Sequence, residues 1–254
     1  MNIPSVIIGG VKTACVSRAG LATLMLADCF EARAAKRTPK LVFSVNGNSI
    51  ARAAIDASFR RAYETADLIH ADGQPVVLAS RMLTNAPIPE RSATTDFFHD
   101  AAKAAAAQGL SFYLLGGTEE VNAACATEML RLYPGLRIVG RRNGYFAREE
   151  EAAICDDINA SGADIVWVGL GIPLEQSFAA RNKNRLNAGW LVTCGGCFNF
   201  VTGDYARAPS WMQRAGLEWL FRVLREPRRL FWRYAITNPR ALYLMLTRSH
   251  AAPA

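Results

Sequence analysis

Between residues 5 and 193 the chain alternates short β-branched runs with longer alanine-rich stretches, and this alternation constrains the fold more than any other feature. The runs Ser5–Ile8, 41–44, 67–69, 111–115, 136–139, 164–168 and Trp190–Thr193 read as strands, and 51–65, 95–108, 119–133, 149–160 and 174–186 read as helices. Strand followed by helix, repeated, predicts an α/β fold: a Rossmann-like, mostly parallel sheet with helices on both faces. Sheets of this kind bind ligands beyond the carboxyl ends of their strands.

Unusual residues collect at those ends. Asn46-Gly47-Asn48 follows the second run, Asp72-Gly73 the third and Gly116-Gly117-Thr118-Glu119 the fourth. Gly169-Leu170-Gly171 follows the sixth and Gly195-Gly196 the seventh. Glycine allows the tight strand-to-helix turn and lets backbone N–H groups approach a phosphate. Any one of these is ordinary turn chemistry, but five at corresponding positions predict a ligand-binding face.

After Gly203 the character changes. Nine arginines, among them Arg214, Arg222 and Arg225, face only Asp204, Glu218 and Glu226, so most of the net charge of +7 lies in this last segment. Trp211, Trp219, Phe221, Leu224, Phe231 and Trp232 are interleaved with them. Arginine beside aromatic residues is the composition of an interfacial helix, and the charge asymmetry points to an anionic partner. The expected division is therefore an α/β domain over 1–203 and a basic helical appendage over 204–254. In the appendage, two or three short helices are expected, broken at Asn238-Pro239. No apolar run approaches the roughly 18 to 20 residues that span a bilayer, and Met1-Asn2-Ile3-Pro4 does not begin a signal peptide. A cytoplasmic protein, peripheral on the inner face of the membrane, is the expectation.

The motifs then line up, over nearly the whole chain, with a known family. The matching segments are Ser44-Val45-Asn46, the run from Ala66 to Val77 that contains His70-Ala71-Asp72-Gly73, and Pro89-Glu90-Arg91 with Asp96. They continue through Phe112 to Gly117, Gly144-Tyr145-Phe146 and Val168 to Pro173, then Arg207-Ala208-Pro209, Gly216-Leu217-Glu218-Trp219 and Glu226-Pro227-Arg228-Arg229-Leu230. In this order and spacing the chain resembles the WecG/TagA/CpsF glycosyltransferases. The resemblance implies inverting transfer of a sugar from a UDP donor to a polyprenyl-diphosphate-linked saccharide, in surface-polysaccharide or teichoic-acid assembly, with no metal and no other cofactor. It implies Asp72 as general base, consistent with the need for a carboxylate to take the acceptor hydroxyl's proton as that oxygen attacks C1. It places Ser44, Asn46, Gly73, Gly116, Gly117, Gly169, Gly171, Glu175 and Gln176 around the substrates. Arg91 and, from the appendage, Arg214, Arg222 and Arg225 fall to the phosphates, for which guanidinium is well suited. The appendage's anionic partner is then the membrane surface, no nucleic acid is expected, and the family admits self-association.

Three departures point to a substrate variant or a divergent subgroup. The family's Gly-x-Pro-Lys-Gln-Glu is Gly171-Ile172-Pro173-Leu174-Glu175-Gln176 here, its Phe-Asp-Phe is Phe198-Asn199-Phe200, and the glycine two residues before Asp96 is Thr94. The donor stays open among N-acetylmannosamine, its uronic acid and glucuronic acid. Two other classes compete. An oxidoreductase reading of Gly169-Leu170-Gly171 is weakened by Leu174, which stands where a third glycine belongs. A nucleic-acid-binding reading of the tail lacks a recognition module. Cys194-Gly195-Gly196-Cys197 has redox spacing but neither the strand position nor the additional ligands that a thiol or zinc site requires.

Overall fold

The computed structural model describes residues 3–35 and 37–252, with the backbone alone at Arg229. Its centre is a sheet of six strands, β3 (Lys40–Val45), β4 (Leu68–Ala71), β5 (Ser111–Gly116), β6 (Arg137–Arg142), β7 (Ile165–Gly169) and β8 (Trp190–Thr193). Their spatial order is β4-β3-β8-β7-β5-β6, and every neighbouring pair is parallel. The period-2 rule sorts the side chains between two cores. Phe43, Val45, Tyr113, Leu115, Val166 and Val168 face one side, and Val42, Phe112, Leu114, Ile165, Trp167 and Val192 the other. Both faces are buried, so the strands read as continuous apolar runs.

Among the described residues, ten helices pack on those faces. On the first lie α2 (Gly47–Ala53), α3 (Ala57–Glu64), α4 (Gln74–Leu83), α7 (Glu151–Ser161), α8 (Leu174–Asn182) and α12 (Pro227–Thr247). On the second lie α1 (Arg18–Ala35), α5 (Thr94–Gln108), α6 (Glu119–Leu132) and α9 (Cys197–Thr202). The chain leaves β3 toward α2 on one face, and its neighbour β8 toward α9 on the opposite face. Adjacent strands whose connections part in this way open a crevice at their carboxyl ends.

The first strand does not join this sheet, as the alternation had suggested. β1 (Ser5–Ile8) pairs antiparallel with β2 (Val11–Ala14) and with β9 (His250–Ala251) in a separate three-stranded sheet. The cause is local. Gly9 and Gly10 have φ of +59° and +84°, the left-handed pair that closes a two-residue hairpin and leaves no room for a crossover helix.

Two helix expectations change as well. The stretch 51–65 is two helices, because Asp56 accepts from the N–H groups of Ser58 and Phe59 and starts α3 anew. In the tail, α10 (Ser210–Arg214) and α11 (Glu218–Arg225) are short, but α12 runs unbroken through Pro239. Proline inside a helix removes one hydrogen bond and costs about 3 kcal/mol. Burial of Ala241, Leu244 and Met245 against the core beside α2 offsets that cost and holds the second half helical. Among the described residues, no helix is long and apolar enough to cross a membrane.

Candidate active site

Asn46 is the first fixed point of the crevice. It caps α2: its Oδ1 accepts from the N–H groups of Asn48 at 3.1 Å and Ser49 at 3.2 Å, while Ser49 Oγ accepts from the Asn46 N–H at 2.9 Å. This reciprocal cap satisfies the helix start and also fixes the amide's orientation. With Oδ1 turned to the backbone, Nδ2 is left facing outward, and it donates to Asp72 Oδ2 at 3.0 Å.

Asp72 leaves β4 on the neighbouring strand, its own N–H bonded to the Val45 carbonyl at 2.9 Å. It does not cap the helix that follows, since α4 starts from Gly73 without any side-chain bond. Its Oδ1 instead accepts from the N–H of Thr94, the first residue of α5, at 3.0 Å. A carboxylate at the start of a 15-residue helix sits at the positive end of the helix dipole. Each carboxylate oxygen therefore has one protein donor and keeps lone-pair capacity. Fixed orientation with a free lone pair on a half-buried carboxylate is what abstraction of a hydroxyl proton requires.

Beneath this pair the packing is polar but closed. Ser44 is half-buried, and its carbonyl accepts from the buried Tyr63 hydroxyl. His70 is fully buried with Nδ1 at 3.1 Å from Ser92 Oγ, and burial depresses its pKa to about 4. It is a neutral structural group two residues before Asp72.

Across the crevice the glycines meet. Gly116 and Gly169 are register partners at the ends of β5 and β7, and Gly117 N–H donates to the Gly169 carbonyl at 3.2 Å. Gly116 has φ +139°, and a methyl group on it would lie 2.3 Å from the Gly169 oxygen, so only glycine fits. Glu175 is buried below the turns that follow β7 and β8. Its Oε2 accepts from the N–H groups of Gly171 at 3.1 Å and Gly195 at 2.9 Å, and its Oε1 from Gln176 Nε2 at 3.1 Å. The carboxyl thus ties two glycine turns together, while Gln176 Oε1 is buried without a partner. Burial, with a smaller contribution from the Asp72 charge, raises the Glu175 pKa to about 7 against the lowering effect of its three hydrogen bonds.

A stability prediction follows from the two shifted groups. Folded Glu175 keeps a proton that the unfolded chain releases above about pH 4.5, so its contribution falls as pH rises toward 7. Folded His70 refuses a proton that the unfolded chain takes up below about 6.5, so its contribution rises with pH from about 4. Between pH 4.5 and 6.5 the two slopes oppose each other. Glu175→Gln, with the Gln176 amide rotated to present its free oxygen, should remove one slope and leave stability rising across that window. Urea midpoints measured at several pH values check this, and parallel profiles for variant and native chain would contradict it.

The arginines divide. Arg91 is only 14% exposed, and its Nη2 donates to Glu218 Oε2 at 2.7 Å, so its charge is already met by the first turn of α11. Arg222 lies over the Phe200 ring at 5.7 Å from the centroid, beside the crevice. Arg225 stacks on Phe221, and both it and Arg214 are exposed. The structure therefore brings Ser44, Asn46, Asp72, Gly73, Gly116, Gly117, Gly169, Gly171, Glu175 and Gln176 to one end of the sheet. Arg222 is placed by its contact with Phe200, and Arg214 and Arg225 have no contact with these residues among the described ones. Sequence reasoning missed the Thr94 N–H as the second support of Asp72, as well as the contacts of Arg207 and Glu218. The last two were visible only as pieces of the family's motifs.

Cys194 and Cys197 are free, buried thiols whose pKa values burial raises well above the usual range. Such thiols pack as small apolar groups and do not exchange. Among the described residues, no three histidine, cysteine or acidic side chains are grouped to hold a metal ion.

The chain is similar to known proteins over most of its length. The model of the "Glycosyl transferase WecG/TagA/CpsF family" matches residues 6–253. A relative from Bacillus spizizenii (strain ATCC 23059 / NRRL B-14472 / W23) is described as an N-acetylglucosaminyldiphosphoundecaprenol N-acetyl-beta-D-mannosaminyltransferase. The two are 31% identical over 188 residues, which cover 74% of this chain and 71% of the relative.

Proposed function

The chain belongs to the WecG/TagA/CpsF family of glycosyl transferases, and from that premise we propose that it transfers N-acetylmannosamine from a UDP donor to N-acetylglucosamine on a polyprenyl diphosphate. The relative's name supports this choice of sugar and acceptor over the two uronic acids. The observation that carries the chemistry is the Asp72 carboxylate, held by Asn46 Nδ2 and the Thr94 N–H at the mouth of the crevice. In the proposed reaction Asp72 takes the proton from the acceptor hydroxyl as its oxygen bonds to C1 of the sugar. The bond from C1 to the UDP oxygen breaks, and the anomeric centre inverts. The glycine turns at Gly116, Gly117, Gly169 and Gly171 leave room for the diphosphate to approach the backbone, with Arg222 as its cationic partner.

The segment after residue 203 serves, on this reading, as the element that closes over the crevice and rests on the membrane. Phe231, Trp232, Ile236, Leu242, Tyr243 and Leu246 are exposed along α12 beside Arg233. Apolar and aromatic side chains next to arginine suit the anionic headgroup region, where the acceptor lies. The test is transfer from a panel of UDP-sugars to polyprenyl-diphosphate N-acetylglucosamine in anionic vesicles. UDP-N-acetylmannosamine should be the preferred donor. Preference for a uronic acid donor would overturn the sugar assignment, and absence of both transfer and UDP binding would overturn the reaction.

A further inference from the structure

We propose that Arg207 is a positioning residue for the base, joining the closing segment to the helix start that holds Asp72; the inference rests on the role assigned to Asp72 above. The guanidinium is the centre of a hydrogen-bonded hub. Nη1 donates to Thr95 Oγ1 at 2.6 Å and Asp96 Oδ1 at 2.9 Å, and Nη2 donates to Gln213 Oε1 at 2.8 Å. Nε lies 3.6 Å from Glu218 Oε1, and the group sits over the Phe200 ring at 5.7 Å.

What these contacts join gives the residue its role. Thr95 and Asp96 belong to the first turn of α5, and the N–H of Thr94 at the head of that turn holds Asp72 Oδ1. Gln213 lies in the last turn of α10 with its Nε2 on the Ala208 carbonyl at 2.7 Å, and Glu218 opens α11 and holds Arg91. Arg207 thus pins the start of α5 to both short helices of the segment. It also shares with Arg91 the one carboxylate between them. Displacing the first turn of α5 moves a donor of the base, and small misplacements of a reacting group are costly in rate. A planar fork that serves several acceptors at once is a property of arginine that lysine reproduces only in part. Asp96 is shared with Arg18 at 3.3 Å, so the α5 start keeps one cation when Arg207 is replaced and has no reason to unfold.

The experiment compares the full-length native chain with Arg207→Gln, Arg207→Lys and Arg33→Gln. The last is a control that breaks the Arg33–Asp164 pair. Each is assayed for kcat with UDP-N-acetylmannosamine and polyprenyl-diphosphate N-acetylglucosamine, for UDP affinity and for Tm. Arg207→Gln should lower kcat about tenfold or more per folded molecule, with UDP affinity within about twofold. Arg207→Lys should recover part of the loss, and Arg33→Gln should lower Tm without changing kcat per folded molecule. In the Asp72→Asn background, Arg207→Gln should cost less than about twofold further, because two residues that act through one another are not additive. Unchanged kcat in Arg207→Gln, or the same loss in both backgrounds, would overturn the inference and leave the proposed reaction standing. No transfer by the native chain would overturn both.

Discussion

Asp72→Asn should lower kcat by about 10²- to 10⁴-fold, the usual contribution of a general base, while leaving UDP binding near native. The expectation has a structural refinement. An asparagine at 72 keeps an oxygen for the Thr94 N–H, but its other end becomes a donor facing Asn46 Nδ2, also a donor. Asn46 cannot turn over, because its Oδ1 is committed to the N–H groups of Asn48 and Ser49. The variant therefore also loses a hydrogen bond and about 1 kcal/mol of stability. A double variant separates the two effects. Asn46→Asp with Asp72→Asn restores a donor–acceptor pair and keeps a good N-cap, since aspartate serves as well as asparagine there. Its Tm should return toward native while transfer remains lost. Native rates in the single variant, or restored transfer in the double, would remove Asp72 from the role of base.

The parallel sheet was legible because its strands are buried on both sides. Residues 112–115 and 165–168 are continuous apolar runs, and Trp190–Thr193 is a strand from end to end. Ser5–Ile8 looks the same locally, yet it belongs elsewhere. Its placement depends on the Gly9-Gly10 turn and on a partner strand, His250–Ala251, that lies more than two hundred residues away. Pro239 misleads for the converse reason. Local propensity says break, but tertiary burial of the following turn decides otherwise.

The site was legible where function sits on strand ends. Asn46 and Asp72 follow the adjacent strands β3 and β4, the glycines end the adjacent strands β5 and β7, and the period of strand and helix alone puts them at one edge of the sheet. The partners of the arginines were not legible, because an ion pair such as Arg91 with Glu218 joins residues 127 apart. Glu175 shows the same limit. Its place beside the site follows from the motif after β7, but only the fold shows that its carboxyl latches the Gly171 and Gly195 turns.

A chain ending at Tyr205 should lose transfer to lipid-linked acceptor altogether. The cut removes Arg222, the Arg207–Glu218 hub and the strand that pairs with β1. It also strips Leu230, Leu244 and Met245 from their burial against the body of the fold. Each such side chain contributes about 1.5–3 kcal/mol, against domain stabilities of about 5–15 kcal/mol, so a lower Tm is expected too. Full-length Arg222→Gln/Arg225→Gln isolates the functional part, since neither side chain is buried in the core. Its Tm should stay near native while transfer in anionic vesicles falls, and the loss should be smaller with a water-soluble, short-chain acceptor, where only the diphosphate contact is missing. A shortened chain with full activity on the lipid-linked acceptor would mean that the crevice works open. Closure over the substrates and docking on the membrane would then both have to be assigned to the body of the fold.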